Sequence, residues 1–403
     1  MSVYNTIEYM ITIPLPHGAE GYIVIDSLYN GTSSGGLRVA PDIDPAEVFT
    51  LAREMSLKFA LSSLPRGGAK SAIRLPSSLD QNHKIEVLKA FGSHCSSIIN
   101  SGIYYPGMDM NCGPNDLRTV YAGAGITLRD ITDSSFHTAL TAAAAINAVQ
   151  KFDSKSATLT VAVEGFGSVI SHLLPRLSLR RFKIQAVSTI AGAVFKKDGF
   201  IVERLIELKA KYGDAFVEEL IKEGAEFLDP KERLLELNVD VLVPSARVGV
   251  INKGNVVDIK ARYIVPVSNG PYSENTASIL QRQGITCLPG FACNLGGVLG
   301  STLQDLGWKR EKIEQFIQIH YQPFLLDLLC RARQTRISPI LLAERIAKCR
   351  LESRCGSSQR DRSARLYKLA KLGLFPRLLA NCLKIREITA GVSALRSELK
   401  KLS

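Results

Sequence analysis

The stretch ATLTVAVEGFGSVISHLLPRL, residues 157–177, runs from an apolar, β-branched strand through a glycine turn into a helix. Gly165 and Gly167 suit a tight turn whose backbone lets a pyrophosphate approach the helix N-terminus. A lone Gly-x-Gly is weak evidence, and its place between a strand and a helix is what gives it weight. The third small residue of such a turn is replaced by Ile170, which predicts looser helix–strand packing there. Candidate cofactor contacts are therefore Gly165, Phe166, Gly167, Ser168 and Val169. FKIQAVST (182–189), DVLVPSA (240–246), YIVPVSN (263–269) and GITCLPG (284–290) read as further short strands, with helices such as NTASILQRQ (275–283) between them. Together they outline an α/β, doubly wound parallel sheet. At the end of its second strand an acidic residue would hold the ribose of NAD, but Ser188 and Thr189 stand there. Without a carboxylate nothing repels a 2′-phosphate, so both NAD and NADP stay open.

Working outward, residues 1–135 alternate strands such as GYIVIDS (21–27) with helical patterns, of which PAEVFTLAREMSLKFALSS (45–63) carries Pro45 at its first turn. A glycine turn is expected at 67–68, and the alanine-rich TALTAAAAINAVQKF (138–152) opens the next domain. Long helical patterns follow residue 305, and a polar break, SRCGSSQRDRS (353–363), precedes a basic, Leu-rich end. The expected divisions are 1–135, 136–305, 306–351 and 352–403.

Composition narrows the class. At 403 residues, 46% hydrophobic and 22% charged, the chain fits a two-domain globular protein. Its start lacks a basic segment followed by an apolar run, and no stretch approaches the roughly 18 apolar residues of a membrane span. The eight cysteines are scattered without CxxC pairs, which reads as reduced thiols in a cytoplasmic protein, with neither disulfide framework nor metal site. The net charge of +12 is local: from Arg331 onward there are 18 Lys/Arg against 5 Asp/Glu, leaving about −1 for the rest.

The chemistry-bearing run is EMSLKFALSSLPRGGAKSAI (54–73), with Lys58 and Lys70 twelve residues apart. A lysine in a partly dry pocket beside another cation has a lowered pKa and can act as a base. Lys58 lies at the edge of the helical stripe of Val48, Leu51, Met55 and Phe59, where it could equally be a solvated lysine paired with Glu54. Asp109, in PGMDMNCGPND (106–116), could be an ordinary turn or cap residue.

Those segments, with GGLRVAP (35–41), SNGPYSENTASILQRQGITCLPGFACNLGGVLGS (268–301) and AERIA (343–347), resemble the glutamate/leucine/phenylalanine/valine dehydrogenase superfamily over roughly residues 22–350. The Lys-x11-Lys run and the terminal Asn-x-Gly-Gly-Val are the most specific. The resemblance implies an N-terminal α/β substrate domain with a mixed sheet, a Rossmann-type dinucleotide domain, and closing helices that return to the first domain. It implies an enzyme that oxidatively deaminates an L-amino acid with NAD or NADP, as a homo-oligomer. By the same resemblance Lys58 anchors the substrate carboxylate, Lys70 activates water, and Asp109 shuttles a proton to and from the departing amine. Gly35 and Gly36 line the substrate side, and Asn294 and Ser301 touch the substrate. Thr138, Ser245, Ala246 and Asn269 belong with the cofactor.

Departures carry information. Glutamate-specific members place a lysine before the glycine pair, where this chain has Ser34, so an apolar or neutral side chain is expected, closer to the leucine/phenylalanine type. Thr141 replaces a usual glycine and Gly290 a common aspartate, which leaves open a catalytically weak homologue that binds or scaffolds through its basic end. SARLYKLAKLGLFPRLLANCLKI (363–385) spaces leucines three and four apart between basic residues. It could lie on an anionic membrane or nucleic acid, or pack on a neighbouring subunit with its charges solvated, Pro376 splitting it.

Overall fold

A computed structural model describes residues 9–128, 131–153, 156–178, 180–273, 275–356 and 377–402. The chain divides into two compact units, Met1–Thr132 with Ala347–Ile388, and Asp133–Ile346 with Thr389–Ser403.

The first unit holds β1 (Tyr9–Pro14), β2 (Glu20–Ile25), β3 (Ser33–Ala40), β4 (Gly67–Arg74) and β5 (Tyr104–Met108) in the order β1-β2-β4-β3-β5. The sheet is mixed: β1, β2 and β4 pair antiparallel, whereas β3 runs parallel to both β4 and β5. Alternate side chains point to opposite faces. Ile23, Leu37, Ile73 and their neighbours face a core shared with α2 (Gln81–His94) and α4 (Pro114–Gly123), with the short α3 (Ser96–Asn100) between. On the other face Tyr22, Val24 and Ala72 meet Val48 and Ala52 of α1 (Pro45–Leu61). Asp44 caps α1 by accepting from the Ala46 amide, and Pro45 sits in its first turn as expected.

The glycines at 67 and 68 are not a turn. They open strand β4, and the reason is crowding rather than φ: a Cβ on Gly67 would lie 1.9 Å from the Ser27 carbonyl oxygen, and one on Gly68 2.0 Å from the Ser56 amide nitrogen.

The second unit is built on β6 (Leu159–Glu164), β7 (Phe182–Thr189), β8 (Gly192–Phe195), β9 (Glu226–Leu228), β10 (Val241–Pro244), β11 (Tyr263–Ile264) and β12 (Thr286–Cys287), ordered β12-β11-β10-β6-β7-β8-β9. Five strands, β12 to β7, are parallel as the sequence implied; β8 reverses direction and pairs antiparallel with both neighbours. Two expected strands shrink to two residues each, because Pro266 and Pro289 follow closely and cannot donate to a ladder. Around the sheet stand α5 (Ser134–Phe152), α6 (Ser168–Leu173), α7 (Val202–Tyr212), α8 (Phe216–Lys222), α9 (Thr276–Arg282), α10 (Gly290–Cys293), α11 (Gly296–Asp305), α12 (Arg310–Phe316) and α13 (Gln322–Thr335). A π-helical segment, Ile317–Tyr321, separates α12 from α13 just before Pro323, which lacks the amide for a regular turn.

α14 (Pro339–Gly356) runs into the expected polar break, and α15 (Arg377–Lys401) closes the chain. Residues 363–376 of the basic stretch lie outside the described residues. Further on, α15 packs on its own chain: Val392, Leu395 and Leu399 are buried, Arg396 pairs with Asp327 at 2.6 Å, and Arg331 donates to the Leu402 carbonyl. No described helix is long and apolar enough to cross a membrane.

Candidate active site

β4 and α1 lie against each other at Gly68 and Ser56, and polar bonds hold them there. Ser56 Oγ donates to Asp26 at 2.5 Å and shares a hydrogen bond with Ser27 Oγ, which accepts from the Gly68 amide. At the far end of α1, Arg350 of α14 donates to the Leu61 carbonyl at 2.8 Å and to Ser63, satisfying the last turn. Lys58 near the end of the helix and Lys70 within the strand are thus both turned inward. Their exposures are 5% and 2%.

Asp109, just beyond β5, receives two cations on one oxygen. Lys70 Nζ lies 2.5 Å from Asp109 Oδ2, and Arg38 Nε of β3 donates to the same atom at 3.1 Å. Arg38 also donates to Glu47 in the first turn of α1. Burial pushes the Asp109 carboxyl up, but Lys70 and Arg38 together outweigh it and hold it well below the usual carboxylate range. Burial lowers Lys70, with Arg38 adding to the drop and Asp109 opposing it. Burial likewise brings Lys58 down to about 8, against the pull of Glu54 and with the push of Lys70. A buried lysine whose ammonium burial makes easier to deprotonate, hydrogen-bonded to a carboxylate as Lys70 is, can take and return protons.

Gly35 and Gly36 sit within β3. A Cβ on Gly35 would stand 1.6 Å from the Ala69 carbonyl oxygen, and one on Gly36 2.8 Å from Asp109 Cβ, so a bare backbone is needed beside the carboxylate. Ser34 Oγ donates to the Tyr105 carbonyl at 2.9 Å.

In the second unit, Gly165 (φ +86°) turns the chain out of β6 between β10 and β7, where the strand order reverses, the switch point at which open α/β sheets bind ligands. A Cβ there would lie 2.8 Å from Ala246 Cβ, whereas one on Gly167 would meet nothing within 4 Å. Glu164 accepts from the Ser245 and Ala246 amides, fixing the two turns to each other. Ser188 Oγ accepts from the Gly165 amide at 3.1 Å, and Thr189 Oγ1 donates to the Asp214 carbonyl while accepting from the Ala191 amide. Thr189 therefore has no proton left for a ribose phosphate. Phe166 is buried edge-on to Phe216, Gly167 and Ser168 are exposed, and Val169 is half-buried. Ile170 is buried without displacing the turn.

Asn294 at the end of α10 donates to Asn269 Oδ1 at 3.0 Å and to the Val267 and Ser268 carbonyls. Its own Oδ1, an acceptor, and Ser301 Oγ, a hydroxyl that can donate or accept, are buried without a hydrogen-bond partner among the described residues, as polar groups facing a ligand site would be. Thr138 Oγ1 donates to the Ser134 carbonyl, and Thr141 accepts from the Gly296 amide at 2.8 Å. The odd Thr141 thus holds the start of α11, against which α5 packs so closely that a Cβ on Gly296 would lie 1.8 Å from the His137 oxygen. Gly290 opens α10 with a Cβ position 3.3 Å from Pro271 and the Ser268 carbonyl. These residues fit a dinucleotide. No His/Cys/Asp/Glu group able to hold a metal occurs among the described residues, and the seven cysteines whose side chains are described are free thiols.

Sequence reading missed Arg38 and Glu47. Arg38 was legible only as a residue two positions beyond Gly36 in GGLRVAP, hence on the same sheet face.

Residues 132–351 match the family model for glutamate/leucine/phenylalanine/valine dehydrogenase, and residues 5–123 match the dimerisation domain of the same family. A glutamate dehydrogenase of Thermotoga maritima is 31% identical over 325 residues, covering 74% of this chain and 76% of that protein. An NADP-specific glutamate dehydrogenase of Saccharolobus shibatae is 29% identical over 299 residues, 70% of this chain and 69% of that one. In three dimensions the chain is similar to a hetero-hexameric glutamate dehydrogenase from Thermus thermophilus, with a TM-score of 0.72 at 21% identity, covering 86% of this chain and 89% of that one. It is also similar to an L-tryptophan dehydrogenase from Nostoc punctiforme, at 0.59 and 22%, covering 87% and 97%. Sheet order, glycine turn, buried lysines and matched segments agree: the chain belongs to the glutamate/leucine/phenylalanine/valine dehydrogenase family of amino acid dehydrogenases.

Proposed function

We propose that this chain catalyses the reversible, NAD(P)-dependent oxidative deamination of an L-amino acid to its 2-oxo acid and ammonia. The observation that carries the reading is the convergence of Lys70 and Arg38 on one oxygen of Asp109, beside the buried Lys58. Lys58 as an ammonium holds the substrate carboxylate, and Asp109 takes the proton that the substrate amine must shed. The bound nicotinamide supplies the hydride acceptor. Lys70, losing its proton easily because it is buried, activates the water that attacks the resulting iminium and then returns a proton as ammonia leaves. Gly165, Phe166, Gly167, Ser168, Val169, Ser188, Ser245 and Ala246 would cradle the dinucleotide, with Thr138, Asn269 and Asn294 toward its nicotinamide end and the substrate. Ser301 would complete the substrate side. The glutamate dehydrogenases among its relatives and a hexameric structural neighbour support a small-molecule substrate and an oligomer. The uncharged Ser34 supports a neutral side chain, whereas the Arg66 guanidinium over the Tyr105 ring weighs against it.

The test is cofactor reduction at 340 nm with a panel of L-amino acids and both cofactors. Turnover with at least one, abolished in Lys70→Ala, is expected; no turnover with any amino acid refutes the reading.

A further inference from the structure

α1 covers β2 and β4 on one face of the first sheet, and on the β3–β5 part of that face the residues from Ser34 to Gly36 and from Tyr105 to Asp109 that point there stay partly exposed. Strand register identifies this floor: Ser34 pairs with Tyr105 and Gly36 with Gly107, so these four and Asp109 share one face, and all are at least partly exposed. Lys58, Lys70 and Arg38 gather at the Asp109 end. At the other end stands Arg66. It immediately precedes Gly67, the strand residue paired with Ser33, and its guanidinium lies 4.5 Å from the centroid of the Tyr105 ring.

Arg66 is half-buried, and no carboxylate is paired with it among the described residues. Stacking on a ring occupies the flat face of a guanidinium and leaves its N–H edges for a planar, bidentate acceptor. Among the described residues of this sheet face, nothing between the two ends competes for that role. Gly36 and Gly107 have no side chains, and the Ser34 hydroxyl is spent on the Tyr105 carbonyl. From Gly36 to Ser34 the strand rises roughly 7 Å, the reach of a short acidic side chain.

We infer that Arg66 is a specificity-determining residue of this site, receiving a second carboxylate carried on the substrate's side chain. The inference rests on the dehydrogenase reading above and selects amino diacids over neutral amino acids. It assigns the charge that Ser34 lacks to a residue on the adjacent strand, at the same end of the floor.

The test compares kcat/KM for L-glutamate, L-aspartate and L-leucine in the full-length protein, in Arg66→Met and in Arg66→Lys, with glutarate binding measured by calorimetry on each. The wild type is expected to prefer one of the two diacids. Arg66→Met should lower the diacid-to-leucine ratio about a hundredfold, chiefly through KM, and weaken glutarate binding similarly, while Arg66→Lys retains most of both. Melting temperatures identify a variant that has lost its fold, and Arg66→Lys then carries the comparison. A wild type that prefers L-leucine, or an Arg66→Met that loses all substrates equally and binds glutarate as before, overturns the inference. Glutarate binding that depends on Arg66 in a protein inert toward every amino acid would instead refute the dehydrogenase reading and keep the anion site.

Discussion

The substrate-side sheet and the nucleotide-side turn both depend on glycine, but for opposite reasons. In the first unit Gly35, Gly67 and Gly68 are small because other backbone presses on them, at would-be Cβ distances of 1.6–2.0 Å. In the second, Gly165 is needed for its φ of +86°, while Gly167 has empty space around it. The first set serves the protein's own packing and places side chains that do chemistry. Gly167 answers no packing demand of the described structure, which is what a surface kept clear for a ligand looks like. One site is an arrangement of side chains from distant segments; the other is nearly a property of its own local chain.

The largest break in this contrast is Lys70→Ala. It should lower kcat about 10³- to 10⁴-fold with little change in cofactor KM, read by steady-state kinetics. An equal loss of cofactor affinity would mean that the sheet site has no chemistry of its own. Gly35→Ala comes next: a methyl driven into the Ala69 carbonyl should cost at least about 3 kcal/mol, seen as a large drop in denaturant midpoint or as insoluble protein.

Lys58 sharpens the comparison through pH. Its folded pKa, about 8, lies below the ordinary 10.5, so below pH 8 the fold bears a buried ammonium that the unfolded chain solvates. Between pH 8 and 10.5 the unfolded state binds more protons, and this residue's contribution to stability therefore rises with pH across that window. Lys58→Met should raise the stability at pH 7 by up to about 3 kcal/mol, measured by urea unfolding, while raising amino acid KM at least tenfold. In the wild type, amino acid KM should climb as pH passes about 8 and the anchor loses its charge. A variant both less stable and unchanged in KM would make Lys58 a structural residue. The smallest effect belongs to Gly167→Ala: melting within a degree or two of wild type, with cofactor KM raised several-fold.

Much of the second unit was legible because its signals are local. The strand–glycine–helix order of 157–177 needs no distant residue to be read, and the alanine-rich α5 announces close packing that Gly296 and Gly300 complete. The length of β11 and β12 could have been read from Pro266 and Pro289. β8 and β9 could not, since their pairing at the sheet edge depends on chain returning from elsewhere. The basic stretch 363–385 lies largely outside the described residues; beyond it Val392, Leu395 and Leu399 are buried within the chain itself.

By itself the sequence determined the family, the two-part α/β plan and the residue types that carry the chemistry, because strand period, helix period and glycine turns are set by neighbours in the chain. Only the tertiary structure decided that Gly67 and Gly68 are strand, that Arg38 shares an oxygen of Asp109 with Lys70, and that Arg66 lies over Tyr105. Those facts depend on parallel pairing of β3 with β4 and β5, which joins segments tens of residues apart. Register across such pairs fixes which side chains share a face, and no local pattern records it.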